Sequence, residues 1–323
     1  MFLHNIAVQD RLIAADGLEN FDLAVNPLSV ILLALRPLND TGTLANFQSY
    51  RGLCAALNRV SVLYRGEAIQ SMRGEDLAAF NYFRWGMMPF QGQHDDVNNE
   101  RRCAVLPIVM GRWPYSKDSC FPASRRGELT LECDFDIADT GYDGLRLSVE
   151  TIEIMDAKPK EYEKRVQVTQ TNGATGDQDM DLVATGNLIR GILLFGTTGF
   201  AGATPAPSWG RIKVLLDNVE AGYSNTDFEV AQMLHCLWGR QPPMYDGHKH
   251  IITTDGNAQT EVETLSGPRD VGEGYEQYCY LDYDPTGDDT HSLSTKDKSR
   301  LILRANVETA DAVRAVPVEV IKL

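Results

Sequence analysis

RVSVLYRGEAIQS (Arg59–Ser71) and RIKVLLDNVEAGY (Arg211–Tyr223) are two versions of one pattern, separated by 152 residues. Val60, Val62 and Tyr64 fall on Ile212, Val214 and Leu216, so the apolar faces of two strands match. A short turn follows in each, around Gly66 and Asn218, then a polar stretch, then a helical pattern. In the first helix Leu77, Phe80 and Phe83 recur within Glu75–Trp85; in the second, Phe228, Ala231, Leu234 and Trp238 recur within Asp227–Trp238. Upstream, SVILLALRP (Ser29–Pro37) corresponds to LIRGILLFG (Leu188–Gly196). Downstream, LRLSVE at Leu145 is read against LILRANVE at Leu301, and TIEIM (Thr151–Met155) against VPVEVIKL (Val316–Leu323). A repeat of order, spacing and face predicts two copies of one domain.

The domain is a β-sandwich. Leu129, Leu131, Cys133, Phe135 and Ile137 alternate with polar residues, as a strand with one buried face requires. Leu145, Leu147 and Val149 do the same, after which Ile152 and Ile154 change phase, predicting a bulge. Pro107 places Cys103–Met110 at a sheet edge or bulge. Short strands with one helix per half exclude alternating βαβ units. The predicted fold is all-β, two tandem eight-stranded jelly rolls, each with a short inserted helix. Predicted boundaries are an N-terminal arm at 1–17, a first jelly roll at 18–156, a polar linker at 157–170 around Pro159, and a second jelly roll at 171–323.

Composition narrows the function. The 323 residues carry 30 Lys+Arg against 45 Asp+Glu, a net charge of −15, which disfavours wrapping nucleic acid. No apolar run approaches the roughly 20 residues of a membrane span. Asp10 and Arg11 interrupt the apolar N-terminus, unlike a signal peptide. Six scattered cysteines without a CxxC predict free thiols. Thr254–Asp297 is long and acidic and reads as a solvated loop.

Two jelly rolls in tandem, each with a helix after a central strand, resemble the double jelly-roll major capsid proteins of the PRD1–adenovirus lineage, in the size range of the smaller bacterial and archaeal virus members. The resemblance covers about residues 18–323 and rests on architecture and spacing, without a diagnostic motif. It implies a structural virion protein with no catalytic site and no cofactor, made in the host cytoplasm. Homotrimers would form pseudo-hexameric capsomers of an icosahedral shell, with long loops projecting outward. Implied partners are neighbouring capsomers, minor capsid and vertex proteins and, in membrane-containing viruses, an internal lipid membrane, with no sequence-specific nucleic acid. The N-terminal arm would face the capsid interior.

Apolar residues occur around most of the first helix, more than one face can hide in its own core. Phe80, Phe83, Trp85, Met87 and Met88 are therefore the predicted trimer interface, reaching the second half of a neighbour. The second helix has less excess, with Gln232 and His235 on its wetter side.

Two other readings use particular residues. A bicupin would bind metal through the HxH pair His248 and His250, with PTGDDTH (Pro285–His291) near a second cupin motif. Asp255 and Glu261 stand at unsuitable distances, and His94 alone represents the first half. A carbohydrate-binding sandwich would stack sugars on Tyr275, Tyr278, Tyr280 and Tyr283. His235-Cys236 reads as a core pair rather than a nucleophile and its base.

Overall fold

The computed structural model describes residues 1–39, 50–87, 90–91, 103–137, 142–197, 208–237, 249–254, 257–262, 275 and 277–323. The first half comprises β1 (Phe2–Ile13), β2 (Gly17–Asp22), β3 (Leu28–Asn39), α1 (Tyr50–Ala55), β4 (Leu57–Tyr64), β5 (Glu67–Met72), α2 (Gly74–Trp85), β6 (Phe90–Gln91), β7 (Ala104–Val109), β8 (Leu129–Phe135) and β9 (Tyr142–Ile154). The second half begins with β10 (Glu161–Val166), β11 (Val168–Thr171), β12 (Gly176–Asp181), β13 (Leu188–Gly196), β14 (Arg211–Leu216), β15 (Val219–Glu220), β16 (Thr226–Asp227) and α3 (Phe228–Cys236). It ends with β17 (Lys249–Thr254), β18 (Asn257–Val262), β19 (Tyr278–Asp282), β20 (Leu293–Ser294), β21 (Leu301–Val307) and β22 (Ala312–Lys322).

Both halves are jelly rolls. In the first, β1-β9-β3-β7 faces β2-β8-β4-β5; in the second, β10-β22-β13-β19 faces β12-β21-β14-β15. Numbered within each roll, the orders are the same: first, eighth, third, sixth, and second, seventh, fourth, fifth. The matched stretches Arg59–Ser71 and Arg211–Tyr223 hold equivalent hairpins. Arg65 and Gly66 (φ 52° and 84°), like Asp217 and Asn218 (φ 48° and 68°), form two-residue turns of left-handed backbone that suit the strand twist. The stretch at Leu301 is corrected: it lies on β21, the seventh strand, whereas Leu145 lies on β9, the eighth. The true counterpart of β21 is β8, which is buried at alternate positions as its sequence requires.

Three further expectations are corrected. Residues 1–17 are not an arm outside the sandwich, because β1 runs antiparallel to β9 as the edge strand of the first sheet. Two register shifts, at Ile6/Val8 and Val8/Arg11, and the positive φ of Asp10 break its period of two, which hides the strand in the sequence. Residues 157–170 are not a free linker. They include β10 and β11, which pair with β22, while β10 also runs parallel to β5 of the first roll. That parallel pair joins the two rolls into one ten-stranded sheet. The bulge predicted in β9 is absent: pairing with β3 is continuous from Val30↔Ile152 to Pro37↔Leu145. Ile152 instead packs with Val30 and Val109 on the outer face of the sheet.

Pro107 does sit at a sheet edge. It faces β3 on one side, while β6 reaches only Ala104 and Val105 on the other. Its carbonyl accepts a hydrogen bond from Asn81 Nδ2 at 2.8 Å, which ties α2 to the strand. The helix stops at Gly86 (φ 66°), where the Gly86 and Met87 amides return to Tyr82 and Asn81.

β13 is apolar on both faces for a reason. Ile192 and Leu194 enter the core of the second roll, whereas Leu193 and Phe195 join the core that extends from the first roll. Gly191 lies on the latter face, where a Cβ would stand 2.1 Å from Tyr280 Oη. Gly191→Ala is therefore expected to cost about 1–3 kcal/mol by overpacking. In a double-mutant cycle measured by denaturant unfolding, Tyr280→Leu should remove most of that penalty; a cost independent of residue 280 would refute the assignment.

Candidate functional site

The feature that sets the geometry of the molecule is the seam where α2 meets the second roll. Ten of the twelve residues of α2 are buried, so the helix has no wet face. Phe80 and Phe83 are wholly covered by their own chain. Phe80 meets Tyr280 edge-to-face at 6.0 Å, and Tyr82 packs on Tyr275 at 4.8 Å. Phe83 meets the His235 ring at 5.5 Å. The apolar surplus of this helix is real, but the second half of the same chain covers it. Phe80 and Phe83 therefore have no surface left for a neighbour. Trp85 and Met87 remain partly exposed, packing on Val30, Val109 and Ile152; Met88 and Trp238 lie outside the described residues.

Beside these rings lies a cluster of charges. Arg190 on β13 is fully buried, and its guanidinium reaches Glu161 at 2.6 Å, Glu163 at 3.2 Å and Asp289 at 2.8 Å. Arg84, from the last turn of α2, lies 3.8 Å from Glu163 and 3.6 Å from Asp284. Arg112 reaches Asp284 at 2.9 Å and also pairs with Asp289. Arg165 lies 3.5 Å from Glu163 and donates to the Val109 carbonyl. Its guanidinium stands 4.6 Å from the Phe80 ring centre, so an aromatic face serves where hydrogen-bond partners are few. Four arginines and four carboxylates thus neutralise one another across both rolls.

Burial disfavours the Arg190 charge, but the hydrogen bond it donates to Asp289 and the fields of Glu163 and Glu161 outweigh that and raise its pKa. For Arg165, burial dominates; Glu163 offsets it only partly and Arg84 reinforces it, pushing the pKa down to about 10. Asp289 alone would be raised by burial, yet Arg190 and Arg112 hold it below the ordinary carboxylate value.

A second ionic contact locks the other end of the seam. Arg314 on β22 grips Asp76 in α2 through two bonds of 2.7 Å and reaches Glu75 at 2.7 Å. Tyr278 Oη donates to Asp76 at 2.9 Å. On α3, His235 Nε2 donates to the Phe83 carbonyl at 2.9 Å, and Gln232 Nε2 to the Tyr278 carbonyl at 2.7 Å. The expectation that Gln232 and His235 face water is corrected: both are buried and tie the helices and β19 together.

His94, His248 and Asp255 lie outside the described residues, as do the side chains of His250 and Glu261. His291 is exposed, and the turn before it delivers Asp289 to Arg190 rather than forming a cupin ligand set. Among the described residues no group of three or more His, Cys, Asp or Glu is placed to hold a metal ion. Tyr275, Tyr278, Tyr280 and Tyr283 are buried, so their rings offer sugars no open platform. The Cys54, Cys133 and Cys279 thiols are pushed up by burial, the opposite of nucleophile activation.

Sequence reasoning missed the ionic cluster. Its signal was Arg190 inside LIRGILLFG and Arg84 inside FNYFRW, charges where an apolar run leaves no water. Asp284 and Asp289 were hidden within a stretch read as a solvated loop.

Comparison with solved structures finds this fold along the whole chain. The major capsid protein P2 from bacteriophage PM2 matches with a TM-score of 0.63 and 10% identity, covering 100% of this chain and 98% of that one. A chain from the atomic structure of Sulfolobus Turreted Icosahedral Virus gives 0.71 and 9%, covering 99% and 91%. A chain of the PBCV-1 virus capsid gives 0.59 and 9%, covering 99% and 94%. No family model matches, and no curated protein matches. The chain has the double jelly-roll fold that these viral proteins share.

Arg190→Met should destabilise the protein by about 3–5 kcal/mol in denaturant unfolding, because it strands buried carboxylates. A loss under about 1 kcal/mol would show that the cluster does not hold the seam. Because the folded-state pKa of Asp289 is depressed, its contribution is present above the unfolded value of about 4 and is lost as pH falls through the folded value. The melting-temperature gap between wild type and Asp289→Asn should therefore close in acid. A pH-independent gap would contradict the ion pair.

Proposed function

We propose that this chain is the major capsid protein of an icosahedral virus, a structural subunit with no catalytic role. The observation that carries this reading is the match to viral capsid chains over essentially the full length of both partners, including both rolls in the same order. The seam supports it. A shell subunit needs two rolls held at one angle, and buried aromatic packing with a neutralised ionic cluster provides that rigidity. The subunit acts as a homotrimer that presents six jelly rolls as a pseudo-hexameric capsomer. Further partners are neighbouring capsomers, minor capsid and vertex proteins and, where the virus has one, an internal membrane. The protein is made in the host cytoplasm and works in the virion.

The purified full chain should have three times its monomer mass by light scattering, and negative-stain images should show compact pseudo-hexagonal particles. A chain that remains monomeric across concentration and salt would overturn the reading.

A further inference from the structure

We infer that α3 of one subunit docks on the outer face of the first jelly roll of a second copy, repeating between chains the contact that α2 makes within one. This inference rests on the trimeric capsid reading and deepens it by naming the contact.

The first observation is an inverted helix. Val230, Met233, Leu234 and Leu237 recur at i, i+3, i+4 and i+7, as a core-facing stripe does. Yet they are 49%, 53%, 37% and 76% exposed, while Gln232 and His235 point inward. A contiguous apolar stripe on a short helix, left open while polar residues are buried, marks a surface that another body covers.

The second observation says which body. α2 covers the outer face of the second roll's β13-β19-β22 sheet, packing against Leu193, Phe195, Tyr278, Tyr280, Val316 and Val318. α3 is its equivalent after the equivalent hairpin. The equivalent face is that of β3, β7 and β9 in the first roll, where Leu32, Val105 and Pro107 are only half-buried. Among the described residues, one chain therefore satisfies the pattern once: Trp85 and Met87 cover the Val30, Val109 and Ile152 end of this face, and no helix lies on its Leu32, Val105 and Pro107 part or on the α3 stripe. A second copy carries both missing parts, and such a head-to-tail contact closes into a ring when the rotation allows.

Charge fixes the orientation. Within the chain, the acidic first turn of α2 (Glu75 and Asp76) is held by Arg314, whose β-partner on β13 is Phe195. Aligning Ser29–Pro37 with Leu188–Gly196 puts Arg36 at the position of Phe195, and the β9 partner of Arg36 is Arg146. Arg146 thus stands where Arg314 stands, with Arg36 beside it. The first turn of α3 carries Glu229, in a cleft also lined by Asp177 and Glu308; Asp227 beside it is already paired with Arg211 at 3.1 Å, which leaves Glu229 as the acid at the helix start that a neighbour meets. An acidic helix start faces a basic sheet end, as it does inside the seam. Arg146 now pairs with Asp10 at 2.9 Å, an exposed contact of small worth that a neighbour's Glu229 can replace.

The test uses the full-length chain and light scattering, with thermal melting to confirm that each variant is folded. Met233→Ser with Leu237→Ser should lose the three-chain species at concentrations where wild type keeps it. Glu229→Arg and Arg146→Glu should each do the same, and the two together should restore the trimer, because the charges are exchanged. Folded variants that remain trimeric, or a combined variant that is no better than either single one, overturn this contact while leaving the capsid reading intact. A wild-type chain that never exceeds the monomer mass overturns both.

Discussion

A buried guanidinium cannot be left alone, and the molecule is organised around four of them near one seam. Arg190 sits in the middle of an otherwise apolar strand with no access to water. Its charge is tolerable only where carboxylates arrive from several directions, and they arrive from β10 and from the turn after β19. Three of these carboxylates are shared with a further arginine: Glu163 with Arg84 from the first roll's helix and with Arg165, Asp284 with Arg84 and Arg112, and Asp289 with Arg112 from the loop after β7. A small rotation between the rolls would uncouple several pairs at once. Such a network adds little net stability over an apolar seam of similar volume, but it penalises every other docking angle. In a chain that holds two sandwiches in one mutual orientation, that selectivity matters more than the last kilocalorie.

The apolar part of the seam works in the same direction. Phe80, Tyr82 and Phe83 interlock with Tyr275 and Tyr280 through edge-on and tilted ring contacts. Close-packed aromatic layers transmit displacement instead of absorbing it. Gly191 shows how tightly the layer is built, since even a methyl group there would collide with the Tyr280 ring.

Much of this architecture was legible in the sequence where a strand has one wet face. β8 alternates without interruption and is buried accordingly, and the hairpins at Arg65 and Asp217 share turn chemistry as well as position. Legibility failed where a segment answers to two neighbours. β10 looked like a linker because Glu163 and Arg165 are charged, but they are buried counterions rather than solvated side chains. β1 looked like an arm because its irregular register scrambles the alternation. The apolar surplus of α2 is legible in the sequence, but periodicity cannot say whether the cover comes from the same chain or another. In α3 the polar residues that suggested a wet side bond to backbone carbonyls inside the protein, which a helical wheel does not reveal.

The parallel pairing of β5 with β10 has a consequence for how the chain comes to be folded. Until Glu161–Val166 has left the ribosome, β5 presents an unpaired strand edge, the kind of edge that recruits foreign strands. The first roll is exposed on its other sheet as well, since β9, lying between β1 and β3, is made last. Both edges close within a short stretch of synthesis, when β9 and then β10 emerge in succession. Nascent chains stalled before that stretch would be sticky and those stalled after it would not, so the tempo of translation there bears on how much of the chain escapes aggregation and reaches the folded state.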